Sequence, residues 1–468
     1  MSAAAIAGLS PRLWAYIVAA ILAVSFSHDL TRIPVQVSDS LGDLLEVQAE
    51  RSATAAFASG LTIPGFLRPL KAVQTRIVSD LSRGSYSFAF RSVHVALFVL
   101  MMLMFVRVLR VETGGDLAAA LFALSVLLGL HTFGNLLREA YPINHFLEVM
   151  LFSLVALALA QGRPGWLPDI AAAVLLGVAA LIVESGLLIW VVLVAAWLSG
   201  MRGVSMRGLA LITLVLCGYA YLRFFFIAAG MPNVDERSSA MWLHVLEPAE
   251  LNRRFGANPL PFFTYNIVTA ALSVLFSEPR AGLWRTIAAY QEGTVLPWML
   301  VAVVTSTITT VVIIAAALGS WRQRASRSES DRFFFIAAGV IAANAVLTYG
   351  YQKNELMSLA GCFYALAAYA AMRRVTERLP TLPMPAFAAA SALLLAASAG
   401  WAVRSEGLHY SLRYSAFKTR NDWVSVEERW SARPDWAAVT ARLRHDAIER
   451  RDVAPRFFPA WEARWFEE

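Results

Sequence analysis

The ten residues "EAYPINHFLE" hold two carboxylates and an imidazole, Glu139, Glu148 and His145. An imidazole and a carboxylate three positions apart share a face if the segment is helical. Either group, held within reach of a hydroxyl, can act as a general base. His145 and Glu148 would also suit a divalent metal, although two ligands at this spacing do not define a metal site. A buried hydrogen-bonded cluster is the plainer reading of the same residues. Further along, Glu184 stands in "ESG", Arg223 in "YLRFFF", and Tyr351 and Lys353 in "YGYQKNEL". Cations such as Arg223 and Lys353 can grip a phosphate and stabilise it as a leaving group. The plain alternatives are an Arg223–Glu184 ion pair and a Lys353 that snorkels to lipid phosphate. Near the N-terminus, "SHDLTRIPVQVSDSLGDLLEV" offers Asp29, Asp39 and Asp43, with Asp39 also suited to capping a helix.

The elements that must position these groups are set by composition. Of 468 residues, 58% are hydrophobic and 16% charged, and the mean hydropathy is +0.57. Several continuous apolar runs reach the roughly 17–25 residues that span a bilayer as helix. Only helices and closed barrels satisfy every backbone group in lipid. The runs do not alternate, which argues against a barrel. The expected fold is all-α and polytopic, with about eleven spans near 13–28, 93–109, 117–134, 145–161, 168–183, 186–199, 208–229, 295–318, 333–350, 356–372 and 384–402. Cys217 and Cys362 lie inside apolar runs and imply no disulfide. The net charge of +7 needs no nucleic-acid partner, because arginines at span ends account for much of it.

Arginine placement orients the chain. The segments "VRVLRVETGG", "QGRPGWLPD", "SGMRGVSMRG", "SWRQRASRSESDR" and "MRRVTERLP" are basic and fall on one side if the N-terminus is inside. That threading requires a tight hairpin or re-entrant pair in 168–199, turning at Glu184, Ser185 and Gly186. It also requires that the apolar run 261–276 lies in the interface or re-enters. The octet "RFFFIAAG" occurs at 223–230 and at 332–339, but its flanks differ, so no internal repeat is implied. Arg332 is expected to begin a span at the cytoplasmic face, and Arg223 to lie near the outer end of its span, where charge is costly and tends to be functional.

This layout resembles the GT-C superfamily of integral-membrane glycosyltransferases, which take sugar from a polyprenyl-phosphate carrier on the outer or lumenal face. The resemblance covers about 1–402. It rests on a large first outer loop with an early acid in "VSDSLGDLLE", an acid entering the fourth span, the arginine of "YAYLRFFF", and a charged outer loop before "ELMSLAGCFYAL". It implies Asp39 as catalytic base with Asp29 and Asp43 as rivals, Glu148 or Glu139 as a second acid, and Arg223 with Lys353 at the carrier phosphate. The family's usual "DE" or "DxD" pair is absent, since Ser40 follows Asp39. The implied protein is an inverting glycosyltransferase of the bacterial inner membrane, N-terminus cytoplasmic and C-terminus periplasmic. Its partners would be a polyprenyl-phosphate-linked sugar, membrane lipid and an acceptor glycan, lipid or protein. The resemblance implies no particular cofactor, and a divalent metal stays open. The expected organisation is a transmembrane unit over 1–402, with outer loops at about 29–92 and 230–294, and a periplasmic helical tail over 403–468 holding five tryptophans. The alternatives are an O-antigen-type polysaccharide polymerase or ligase, and a transporter or lipid flippase.

Overall fold

The computed structural model describes residues 9–37, 39–61, 66–138, 143–227, 234, 238–242, 244–276, 284–322, 328–425, 441 and 444–445. The chain is overwhelmingly helical, as its apolar runs demand. Among the described residues, six helices are long and apolar enough to cross a membrane, and a seventh span results if one bent pair is counted as a unit. The six are α1 (Pro11–Leu30), α5 (Tyr86–Leu109), α11 (Met206–Tyr221, continued by a π turn to Phe226), α15 (Pro297–Arg322), α17 (Ser358–Arg378, entered by a 3-10 turn at Glu355–Met357) and α18 (Met384–Ser425). The bent pair is α6 (Gly114–Gly129) and α7 (His131–Arg138), which meet at 59°. The break falls at Leu130, whose extended backbone follows a glycine pressed against Trp401. A Cβ on Gly129 would lie 2.8 Å from the Trp401 ring.

The other apolar runs form shorter helices: α8 (His145–Ala160), α9 (Trp166–Ile182), α10 (Leu188–Leu198, entered by a 3-10 turn at Glu184–Leu187), α13 (Leu260–Leu275) and α16 (Arg332–Leu347). Outside these runs lie α2 (Asp39–Ala49), α3 (Ala53–Leu61), α4 (Pro69–Ser82), α12 (Pro248–Phe255) and α14 (Trp284–Gln291). One short antiparallel ribbon, β1 (Ser239–Met241) with β2 (His244–Leu246), pairs Ser239 with Leu246. α17 is the central post, with nearly every residue from Ser358 to Met372 buried. α6 and α16 pack on it, and α8, α10 and α15 surround them.

The expected hairpin in 168–199 is present. Val183 is extended, and the chain then folds back so tightly that a Cβ on Gly186 would sit 2.3 Å from the Ala179 carbonyl carbon. At the other end of α9 and α10, the Gly203 N–H donates to the Ala160 carbonyl at 2.9 Å. Ser205 bonds Asp169 there through its N–H at 2.8 Å and its hydroxyl at 2.6 Å. The ends of α8 and α10 and the starts of α9 and α11 therefore share one end of the bundle, with Glu184 at the opposite end. The run 261–276 is α13, whose Asn266 donates to the Tyr349 carbonyl at 2.8 Å while Leu275 accepts from Thr310 in the middle of α15. It thus slants from one end of the bundle into its body.

The two octets occupy opposite ends of the bundle. Arg223 pairs with Glu184 at the start of the 184–198 segment, whereas the Arg332 guanidinium lies beside Gly200, just beyond its finish. α18 is continuous over 42 residues, so the expected division after residue 402 falls inside one helix. Cys217 and Cys362 are both free thiols.

Candidate functional site

The end of the bundle that carries Glu184 gathers most of the chemically capable residues. α8 is fixed there by a buried polar chain. Arg91 on α5 donates to the carbonyls of Ile33 (2.6 Å) and Pro34 (3.0 Å), and lies 3.2 Å from His94 Nδ1. His94 Nε2 lies 3.1 Å from the Asn144 amide. Asn144 caps α8 by accepting from the Leu147 N–H at 3.1 Å, as an asparagine before a helix should. This places His145 at the first position of α8 and Glu148 one turn later, on the same face. His145 Nδ1 is 3.3 Å from Glu148 Oε2, and Gln74 on α4 donates to Glu148 Oε1 at 2.7 Å. His145 is 5% exposed, and its Nε2 has no hydrogen-bond partner among the described residues.

Beside this string, α4 carries two cations that approach from the first loop. Lys71 Nζ is 2.5 Å from Asp43 Oδ2 on α2. Arg68, the residue before Pro69 opens α4, donates to Glu184 Oε2 from Nη2 at 2.5 Å and from Nε at 3.0 Å, and its Nε also reaches Oε1 at 3.3 Å. Charge-assisted bonds of this kind are among the strong ones. Arg223 reaches the other Glu184 oxygen at 3.2 Å and donates to the Tyr219 hydroxyl at 3.2 Å. It rides on the π turn Leu222–Phe226, a one-residue widening that often occurs at functional positions. Two guanidinium groups thus converge on a single carboxylate. Burial alone would lower the Arg68 pKa, but Glu184 outweighs it, and Tyr351 and Asp43 add to the same side. Arg68 is held above its ordinary value and stays charged at any working pH. Lys71 and Asp43 also lie within electrostatic reach of His145, so Asp43 faces both halves of the cluster.

Of the residues expected from sequence, Asp43, His145, Glu148, Glu184, Arg223 and Tyr351 come together here. Lys353 forms an ion pair with Glu355 at 3.2 Å. Asp39 opens α2, but its side chain, like the whole of Glu139, lies outside the described residues. Asp29 belongs to a different cluster. It is 1% exposed and bonded to His409 Nδ1 at 2.7 Å and Arg413 Nε at 3.3 Å, which clamps α18 to α1. A divalent metal gains no support, since no group of three or more His, Cys, Asp or Glu suited to a metal occurs among the described residues. Arg68, Lys71 and Gln74 were not anticipated. Their spacing in "RPLKAVQ" is i, i+3, i+6 around a helix-opening proline, which would have put them on one helical face.

Two cavities lie away from this cluster. One is apolar, lined by Phe122, Ile308, Met372 and Leu394. The other, of about 350 Å³, is lined by Trp166, Asp169, Ser205 and Arg207 at the far end of the bundle. No protein-family model, curated protein or solved structure matches this chain.

Proposed function

We propose that this protein is a membrane glycosyltransferase that moves a sugar from a polyprenyl-phosphate donor to a glycan, lipid or protein acceptor on the outer face of a bacterial inner membrane. In this reading the chain crosses eleven times, with the cluster at the periplasmic end. The observation that carries it is the convergence of Arg68 and Arg223 on one carboxylate, beside proton-accepting groups, at the rim of a lipid-embedded bundle. A pair of guanidinium groups is the chemistry that recognises a phosphate in two-bond geometry. Glu184 holds the pair open in the resting protein, and the donor phosphate competes for the same N–H groups. Lys71, borne on the same helix as Arg68, supplies a third positive charge. The sugar then leaves a phosphate whose developing charge is met by fixed cations, the kind of preorganised stabilisation that dominates many enzymatic rate enhancements. The direct displacement inverts the anomeric centre.

A transporter would instead hold open polar groups at mid-depth. Here the hydroxyls along α15 are occupied, while the Ser153 hydroxyl on α8 has no partner among the described residues. Thr305 and Thr309 bond carbonyls of α15 itself, and Thr310 bonds the Leu275 carbonyl and lies 2.9 Å from the Tyr364 hydroxyl.

The test is binding of undecaprenyl phosphate to the full chain in lipid nanodiscs, read by native mass spectrometry. Charge-assisted bonds contribute roughly 1.5–3 kcal/mol each, so Arg223→Ala should weaken binding by about one to two decades. Arg332→Ala should leave it unchanged. Equal losses in the two variants, or a wild type that does not retain the carrier, would sink the proposal.

A further inference from the structure

The reaction needs a group to take the acceptor's proton, and the resemblance pointed to a first-loop aspartate. The described residues offer another candidate. Asp43 is already paired with Lys71 at 2.5 Å, so its lone pairs face a cation. His145 is buried, and its Nδ1 is turned to the Glu148 carboxylate, which Gln74 holds from the other side. A carboxylate on Nδ1 places the ring proton there and leaves the Nε2 lone pair bare. That nitrogen is the one the described residues leave without a partner. A buried polar atom left open is costly and calls for an explanation. A base oriented by a third group is the recurring arrangement for activating a hydroxyl.

We infer that His145 Nε2, backed by Glu148 and Gln74, is the general base that takes the proton from the acceptor's hydroxyl. The inference rests on the glycosyl-transfer reading and names the acceptor group as a hydroxyl. In the step, the acceptor O–H proton passes to Nε2 and the acceptor oxygen bonds to the anomeric carbon. The bond from that carbon to the phosphate oxygen breaks, and its electron pair stays on the phosphate, held by Arg68 and Arg223. The imidazolium that forms is stabilised by Glu148 and returns its proton to solvent. Lys71 and Asp43, the other charged groups within electrostatic reach of the ring, oppose each other in sign, so the dyad dominates the local charge.

The test uses the full chain in nanodiscs, a panel of monosaccharide esters of undecaprenyl phosphate, and a membrane lipid extract as acceptor source. The readouts are carrier binding, carrier release against pH, and melting temperature. His145→Gln should lower release by about 10²–10⁴-fold with carrier binding and melting temperature kept, and should abolish the fall in rate on the acid side of the profile. His145→Ala should regain part of its rate in added imidazole, which a merely structural role would not allow. Glu148→Gln, which keeps the shape of the string, should move the acid-side fall without removing it. Asp43→Asn should keep that fall in place. Full release by His145→Gln, or an acid-side fall lost in Asp43→Asn instead, overturns this inference and leaves the phosphate site standing. A wild type that binds the carrier but releases none overturns the transfer reading and this base with it.

Discussion

The two ends of the bundle solve the same problem differently. At the end carrying Arg332, Asp331 is 5% exposed, and its carboxylate is fully engaged. Arg374 donates to it at 2.7 and 3.0 Å, and the Ser328 N–H adds a third bond at 2.9 Å. Arg373 bridges Asp116 and Glu377, and Arg110 pairs with Glu329. One cation meets at least one carboxylate each time. At the other end, two guanidinium groups share Glu184, an imidazole nitrogen has no partner among the described residues, and the Ser185 hydroxyl is likewise open. Both ends bury charge, which is expensive. What differs is the ratio of charges: in the first each cation has a carboxylate of its own, in the second two cations share one, and that sharing separates a site from a seam.

Mutations that strip each end test this contrast. Asp331→Ala should have the largest effect on folding. Its side chain is 1% exposed, and removing one partner of a buried pair costs about 3–5 kcal/mol because the other charge is left uncompensated. The expected readout is a marked drop in melting temperature and yield, with carrier binding normal in the surviving protein. Glu184→Gln should cost less, about 1–3 kcal/mol, since that carboxylate is 20% exposed. A larger loss there than at Asp331 would reverse the comparison. Arg223→Lys should recover only part of the carrier binding that Arg223→Ala loses, because an ammonium cannot reproduce the planar fork. The smallest effect belongs to Arg332→Lys, expected within about 0.5 kcal/mol in melting temperature. A drop comparable to that of Arg223→Ala would mean the two octets do similar work.

Much of this was legible in the sequence, for identifiable reasons. The hairpin at Glu184–Gly186 followed from the length of one apolar run and the need to keep arginines on one side. The face shared by His145 and Glu148 followed from helical spacing, and the Arg223–Glu184 pair was foreseen as the plain alternative to a phosphate role. The contribution of α4 was not legible. Arg68, Lys71 and Gln74 lie in a long segment outside the apolar runs, where charge counts carry no topological signal, and nothing local says that this segment folds back over α8 and α9. The length of α18 was also hidden. Its apolar character stops near Val403, but the helix continues because polar residues such as Arg404, His409 and Arg413 find partners on α1, α6 and α15.

α18 also acts as a ruler. Forty-two residues at about 1.5 Å each make a rod roughly 63 Å long, about twice the hydrocarbon thickness of a bilayer. Its distal part is docked at several heights. Arg404 holds the Gly129 carbonyl, Asp29 takes His409 and Arg413, Arg420 meets the Arg32 carbonyl, and Trp423 meets the Val35 carbonyl. These contacts fix rotational phase as well as distance. One residue inserted near position 403 would turn everything beyond it by about 100°, swinging His409 and Arg413 off Asp29 together. A helix built this way keeps the segment that follows α1, and the loop helices it leads to, at a set angle and standoff from the lipid.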